Sequence, residues 1–316
     1  MNAAAHGRAH AQVNGVLILD KPPGMTSFSI VASVRKMLQI KKVGHCGTLD
    51  PFATGVLVVC INQATRIVDQ LLSQDKVYRF TMHLGVETDT LDSTGQVVRT
   101  HACPEHLTKD LEDALQPFRG RYLQQVPRYA AVKVRGRRLY DWTRKGIEVT
   151  PPTREAHIYR LDILDRRWPE VILEVHCSKG TYVRQLAADI GKTLGIGAHV
   201  SKLRRLASGR FHLGRAVSLN ELGEAKERGN WPGLLISMNE ALADLPAVLI
   251  EEEAAGRLRN GYLDAQWKAV HSGTFSDRGG PVRLVTSDGL LLALWWPEAC
   301  TEAGGAEHSR SIRVFV

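Results

Sequence analysis

Six consecutive apolar residues, Val56-Leu57-Val58-Val59-Cys60-Ile61, follow directly on the turn-rich segment Gly44-His45-Cys46-Gly47-Thr48-Leu49-Asp50-Pro51-Phe52-Ala53-Thr54-Gly55. A short apolar run bounded by glycine and proline reads as a buried strand, and the preceding segment as the loop that feeds it. Pro51 has no amide donor and biases Asp50 toward extended geometry, while Gly47 and Gly55 let the backbone turn tightly. The chain therefore places one carboxylate, Asp50, on a constrained loop at the lip of a core strand. Two readings fit it: an ordinary Asp-Pro turn, or a catalytic acid.

Around that strand the pattern changes period repeatedly. Residues 16–19 form a short apolar run stopped by Lys21-Pro22-Pro23-Gly24, which predicts a strand and then a turn. Thr26 or Ser27 can cap a helix whose apolar positions Ile30, Val31, Val34, Met37 and Leu38 recur at helical spacing. Residues 77–84, 158–164 and 171–177 read as strands, and 107–115, 183–194 and 218–227 as helices. In the second of these helices Val183, Leu186, Ala187, Ile190 and Leu194 make one apolar stripe, and Gly195 stops it. Strands and helices do not alternate regularly, which predicts an α+β fold on a mixed, largely antiparallel sheet rather than a doubly wound one. After Asn230-Trp231-Pro232-Gly233 the texture becomes a series of short β-like runs at 267–270, 282–286, 290–296 and 312–316. These suggest a small barrel.

At 316 residues the chain is long for one core. The expected division is a leader over 1–13, a main domain over 14–245 and a small β-rich domain over 246–316. The leader is Ala- and His-rich without an apolar core of signal-peptide length, and is expected to be disordered. No run approaches 18 apolar residues, so no membrane helix is expected. A net charge of +8 favours a polyanionic partner. Five scattered cysteines, never in a Cys-x-x-Cys pair, fit a reducing cytoplasm better than a disulfide framework. Cys46 and Cys177 read equally as exposed thiols or as packing.

Gly15 to Ser27, with its Leu-Asp-Lys-Pro-Pro-Gly core, and the Gly47-Thr48-Leu49-Asp50-Pro51 segment resemble the TruB family of tRNA pseudouridine synthases. Three further blocks carry the same resemblance in the same order: Lys76-Val77-Tyr78, Pro127-Arg128-Tyr129-Ala130-Ala131-Val132-Lys133-Val134 and Ser178-Lys179-Gly180-Thr181-Tyr182-Val183-Arg184. The resemblance spans about residues 13–215 and continues more faintly beyond, where the family carries a small RNA-binding domain of PUA type. The match to the 302–310 stretch is poor.

The resemblance implies an isomerase that detaches a uracil from its ribose, rotates it and rejoins it through C5, with no cofactor and no metal. It places Asp50 as the nucleophile, toward C1′ of the ribose or C6 of the base. Arg184 would hold that carboxylate, which a planar guanidinium can do bidentately. Tyr78 would stack on the extruded base and assist removal of the C5 proton, with Tyr182 and Leu203 as pocket walls. His45 would occupy the space vacated by the flipped base. Lys21 and Pro22 would support the floor of the site. From the residues alone, Tyr78 could be cross-strand packing, Leu203 core, and Lys21 and Arg184 solvated surface.

The basic runs at 133–138, 144–145 and 202–205 interleave with Tyr129, Tyr140 and Trp142 and read as phosphate contacts. Arg135, Arg137 and Arg138 belong to the segment that resembles the family's grip on the tRNA elbow. The expected partner is the T-arm of tRNA, with no guide RNA and no membrane, for a monomer acting alone in the cytoplasm. The rivals are a relative working inside a guide-RNA particle and a non-catalytic RNA-binding or RNA-folding protein on the same scaffold. A zinc-dependent deaminase lacks ligand spacing, because the loose His/Cys cluster at 101–106 has no recognised zinc pattern.

Overall fold

The structure, a computed structural model, describes residues 13–104, 110–275, 280–297 and 312–315. Its first strand, β1 (Gly15–Lys21), leads through the Pro22-Pro23-Gly24 turn into helix α1 (Ser27–Leu38). Thr26 caps that helix, its side chain accepting from Ser29 N, and Gln39 ends it in the left-handed region at φ 55°. The stripe Ile30, Val31, Val34 and Leu38 is buried, as the spacing requires.

Strands β2 (Val43–His45) and β3 (Thr54–Ile61) flank the Asp50 loop. Strand β3 is buried on both faces: Val56, Val58 and Cys60 join one core cluster, and Leu57, Val59 and Ile61 another. Double coverage is why its sequence is continuously apolar rather than alternating.

The chain continues with β4 (Lys76–Leu84) and β5 (Gly120–Gln125), then a small hairpin of β6 (Lys133–Val134) and β7 (Arg137–Arg138). Strands β8 (Thr153–Arg167) and β9 (Glu170–Cys177) follow, and helix α2 (Val183–Thr193) precedes β10 (Ala198–Ser208) and the short β11 (Phe211–His212). Among the described residues the main sheet has nine strands in the order β1-β3-β10-β4-β9-β8-β5, with β2 beside β3 and β11 beside β10. Its pairings are antiparallel except that of β10 with β3. The α+β, largely antiparallel expectation therefore holds. The helix expected over 107–115 is described only as Leu111–Leu115, since 105–109 lie outside the described residues.

Helix α2 shares one core with β4 and β10: its Leu186, Ala187 and Ile190 cluster with Phe80, Met82, Val200 and Leu203. Each fully buried large aliphatic contributes about 1.5–3 kcal/mol, which anchors the helix on the sheet. Helix α3 (Leu219–Glu227) starts with a complete capping box between Ser218 and Glu221.

A second sheet has the order β12 (Ala247–Leu249), β13 (Val282–Val285), β14 (Leu291–Trp295) and β15 (Ile312–Val314). Helices α4 (Glu252–Arg259) and α5 (Ala265–Phe275) accompany it. The β-like reading of 267–270 is thereby corrected. Asp264 accepts from Trp267 N at 3.2 Å, which opens a helix, and Trp267 stacks on His271 one turn later at 4.0 Å between ring centroids. Four mixed residues carry too little periodicity to separate the two states. The 302–310 stretch and residues 1–12 of the expected leader lie outside the described residues. Among the described residues no helix is long and apolar enough to cross a membrane.

Candidate active site

The turn after β1 and the loop before β3 are built as one piece. Lys21, fully buried, donates its ammonium to Pro22 O at 2.8 Å, Met25 O at 2.7 Å and Pro51 O at 3.1 Å. Gly24 N reaches the same Pro51 carbonyl at 2.8 Å. Ser27 completes the staple, accepting from Leu49 N at 2.8 Å and donating to Leu49 O at 3.1 Å. The Lys-Pro-Pro-Gly-Met-Thr-Ser signature thus holds both neighbours of Asp50 by their backbones. Gly55 closes the loop at φ 99°, where a Cβ would collide with the backbone of Arg205, its partner on the neighbouring parallel strand β10. Only glycine fits there.

Asp50 faces Arg184, the second residue of α2. The guanidinium engages the carboxylate through Nε to Oδ2 at 2.9 Å and Nη2 to Oδ1 at 3.2 Å. Arg184 is itself buried and tied to Thr90 O at 2.8 Å, Tyr129 O at 3.2 Å and the carboxylate of Asp92 at 3.5 Å. Its place on the first turn of a helix is mildly unfavourable to the dipole, and two carboxylates offset that. Burial raises the Asp50 pKa and Asp92 adds to the rise, while Arg184 and Lys21 oppose it. The paired guanidinium, at 2.9 and 3.2 Å, opposes that rise and favours the anionic form of the carboxylate.

Asp50 and Arg184 open onto a cleft of about 390 Å³ whose lining includes Tyr78, Tyr182, Leu203, Lys76 and Arg205. Tyr78 on β4 lies directly opposite Arg205 on β10, and Leu203 two residues earlier lies opposite Phe80. Burial raises the Tyr78 pKa, so its hydroxyl keeps its proton at neutral pH. Tyr182 is the cap residue of α2, and Leu203 is buried. The structure therefore brings together Asp50, Tyr78, Arg184, Tyr182 and Leu203, with Lys21 beneath the loop.

His45 is not in that lining. It ends β2, half-buried, and its Nδ1 has no hydrogen-bond partner among the described residues. Burial and the nearby Arg205 lower its pKa, so the ring is neutral. Arg135, Arg137 and Arg138 are exposed on the β6–β7 hairpin, immediately after Ala130-Ala131-Val132 of the cleft wall. Arg135 and Gly136, at φ 51° and 79°, form the tight turn. Arg137 lies over Trp142 at 5.3 Å and Arg138 over Tyr140 at 5.9 Å, which limits how far these cations wander.

The reading of 202–205 as a surface phosphate patch is corrected for Arg205. That residue is 1% exposed, donating to Val56 O at 2.6 Å and Gly47 O at 3.1 Å. Arg204, on the other face of β10, pairs with Asp20 at 2.6 Å. The period of two along a strand is the signal that separates them. Sequence reasoning misses Asp92 altogether. It also misses the burial of Lys76, whose ammonium donates to Leu72 O at 2.8 Å and to Gln74 O. Cys46 and Cys177 are both buried packing.

Burial lowers the pKa of both Lys21 and Lys76 to about 8. An unfolded lysine keeps its proton to about 10.4, so between these values the unfolded chain binds more protons and stability rises with pH. The buried thiols of Cys60 and Cys177, raised by burial, titrate in the opposite sense over the same range, so the readout is a difference: from about pH 8 toward about pH 10 the urea midpoint of the wild type should rise relative to that of Lys76→Met. A difference that stays constant over that range would refute this.

Residues 35–183 match the family model of the TruB family pseudouridylate synthase (N terminal domain). Residues 184–243 match that of the tRNA pseudouridylate synthase B C-terminal domain. The tRNA pseudouridine synthase B of Syntrophobacter fumaroxidans is 56% identical over 303 residues, 96% of this chain and 97% of the relative. That of Geobacter sulfurreducens is 40% identical over 304 residues, 96% of this chain and 100% of the relative. A chain from the crystal structure of a Cbf5-Nop10-Gar1 complex superposes with a TM-score of 0.71 at 28% identity, covering 98% of this chain and 86% of that one. Since the two family models span the Asp50 loop, the cleft wall and helix α2 with its Arg184, the chain belongs to the TruB family of pseudouridylate synthases.

Proposed function

We propose that this chain is a stand-alone tRNA pseudouridine synthase that isomerises the T-loop uridine, position 55 in tRNA numbering. The observation that carries the mechanism is that Asp50 is the only carboxylate lining the cleft among the described residues. The uracil leaves C1′ through N1, turns, and forms a C5–C1′ bond; C5 loses its proton and N1 gains one. Atoms balance without a co-reactant. Asp50 acts as the nucleophile, and Arg184 orients it. Leu203, Tyr182 and the Tyr78 ring wall the base. Because the Tyr78 hydroxyl stays protonated, it can accept the C5 proton only while releasing its own to solvent water, as a relay rather than a phenolate base. Lys21, Lys76, Arg184 and Arg205, none more than 6% exposed, are four cations against the two carboxylates Asp50 and Asp92. A phosphodiester-linked substrate restores that balance.

A folded T-arm hides its uridine, so the base must be flipped out, and His45 is the residue proposed to take its place. Residues 14–245 would form the catalytic unit, and 246–316 a second RNA-contacting unit of PUA type. The protein would work as a cytoplasmic monomer without guide RNA. Its hairpin cations would contact phosphates, so Arg137→Ala with Arg138→Ala should lower the salt slope of tRNA binding by about two. An unchanged slope would remove the hairpin from the interface.

The deciding experiment is tritium release from C5-tritiated uracil in unmodified tRNA transcript. About one equivalent is expected, and none when the transcript lacks the T-loop uridine. A folded protein that binds tRNA but releases nothing would be the non-catalytic RNA-binding alternative.

A further inference from the structure

We infer that Gln124 is a positioning residue of the synthase reaction: from behind the cleft it grips the peptide that aims Tyr182 and Arg184. The inference rests on the synthase reading above.

Gln124 lies on β5, 2% exposed, and is not among the residues lining the cleft. Its Oε1 accepts from Tyr182 N at 2.8 Å, and its Nε2 donates to Tyr182 O at 3.0 Å and to the Tyr122 hydroxyl. One amide thus holds both polar groups of a single backbone residue. The second donor hydrogen, spent on Tyr122, fixes the direction in which the amide faces. Burial raises the Tyr122 pKa, so that hydroxyl remains a neutral acceptor.

The gripped residue is critical to the site. Tyr182 stands at φ −101° and ψ 106° as the cap of α2, with no side-chain capping bond of its own. The next two residues, Val183 and Arg184, line the cleft with it. Any rotation of the Tyr182 peptide would swing the first turn of α2, and the two Arg184–Asp50 contacts at 2.9 and 3.2 Å would open unequally. Geometry of this kind acts on turnover more than on ground-state affinity.

The amide is the chemistry the position needs. A glutamate carboxylate only accepts, so it would face the Tyr182 carbonyl with like charge; a protonated glutamic acid can accept and donate at once. This gives a test whose readout a merely stabilising residue would not move. In single-turnover assays on tRNA transcript, Gln124→Ala should lower the rate about tenfold, with the substrate concentration at half-maximal rate changed less than about twofold. Gln124→Glu should approach the wild-type rate near about pH 6, where its buried carboxyl holds a proton. It should then lose rate as pH rises, adding a limb that the wild type lacks. If Gln124→Ala fails to fold, the Gln124→Glu profile alone decides. A Glu profile parallel to the wild type, or an alanine variant altered only in affinity, overturns the inference. Wild-type turnover in the same assay separates that outcome from failure of the synthase reading.

Discussion

Asp50→Asn should lose turnover by roughly 10⁴-fold or more while its affinity for tRNA stays within a few fold. The asparagine keeps the size of the side chain and one acceptor oxygen for Arg184, so the loop stapled by Lys21 and Ser27 has no reason to move. Arg184 retains Asp92, at 3.5 Å, as a counter-charge, and the two backbone carbonyls that hold it. What disappears is the negative charge that makes a carboxylate a nucleophile, and among the described residues no second acid lines the cleft to replace it. Single-turnover tritium release and filter binding on the same preparation measure the two quantities. Binding lost in parallel with activity would mark Asp50 as structural. Turnover within roughly a hundredfold of wild type would mean that another group attacks.

Much of this site can be read in the sequence because its parts are local. The Asp-Pro loop, the apolar strand after it and the stripe of α2 are short patterns: turn residues mark the loop, an unbroken apolar run the doubly covered strand, and helical spacing the helix. The Lys21 signature shows itself only by resemblance, since three carbonyl contacts from one ammonium leave no periodic trace. Asp92 leaves none either. It sits in the Asp89-Thr90-Leu91-Asp92-Ser93-Thr94-Gly95 turn, where side-chain hydrogen bonds to Thr90 and Thr94 look like ordinary turn chemistry. Its partner Arg184 lies far along the chain, and nothing in a local window joins them. Gln124 is hidden for the same reason: its partner is 58 residues away. Arg205 is legible in principle, because strand alternation separates it from Arg204, but a run of charges masks that alternation.

Arg184→Leu should be the most damaging change that leaves the loop sequence intact. Arg184 is the hub on which Asp50, Asp92, Thr90 O and Tyr129 O all converge. Removing it leaves two carboxylates facing one another without their shared cation. Asp92 is 4% exposed and has little access to water, whereas the Asp50 side chain, 34% exposed, can be partly screened through the cleft. Breaking a buried pair in this way costs about 3 kcal/mol at neutral pH. The loss should shrink on acidification. Without the guanidinium, Lys21 is the remaining cation, among the described residues, that opposes the rise that burial and Asp92 impose on the Asp50 pKa. Above the unfolded value near 3.9 the native variant therefore binds more protons than the unfolded chain, and its stability falls as pH rises. Urea midpoints at about pH 5 and about pH 7 should diverge from the wild type mainly at the higher value. Arg184→Lys should recover part of the stability, because the charge is restored, yet stay at least roughly a hundredfold down in turnover. One compact ammonium cannot hold both oxygens of Asp50 and reach Asp92 and two carbonyls at once. A lysine variant with wild-type turnover would show that charge alone suffices and that the fork geometry does not matter.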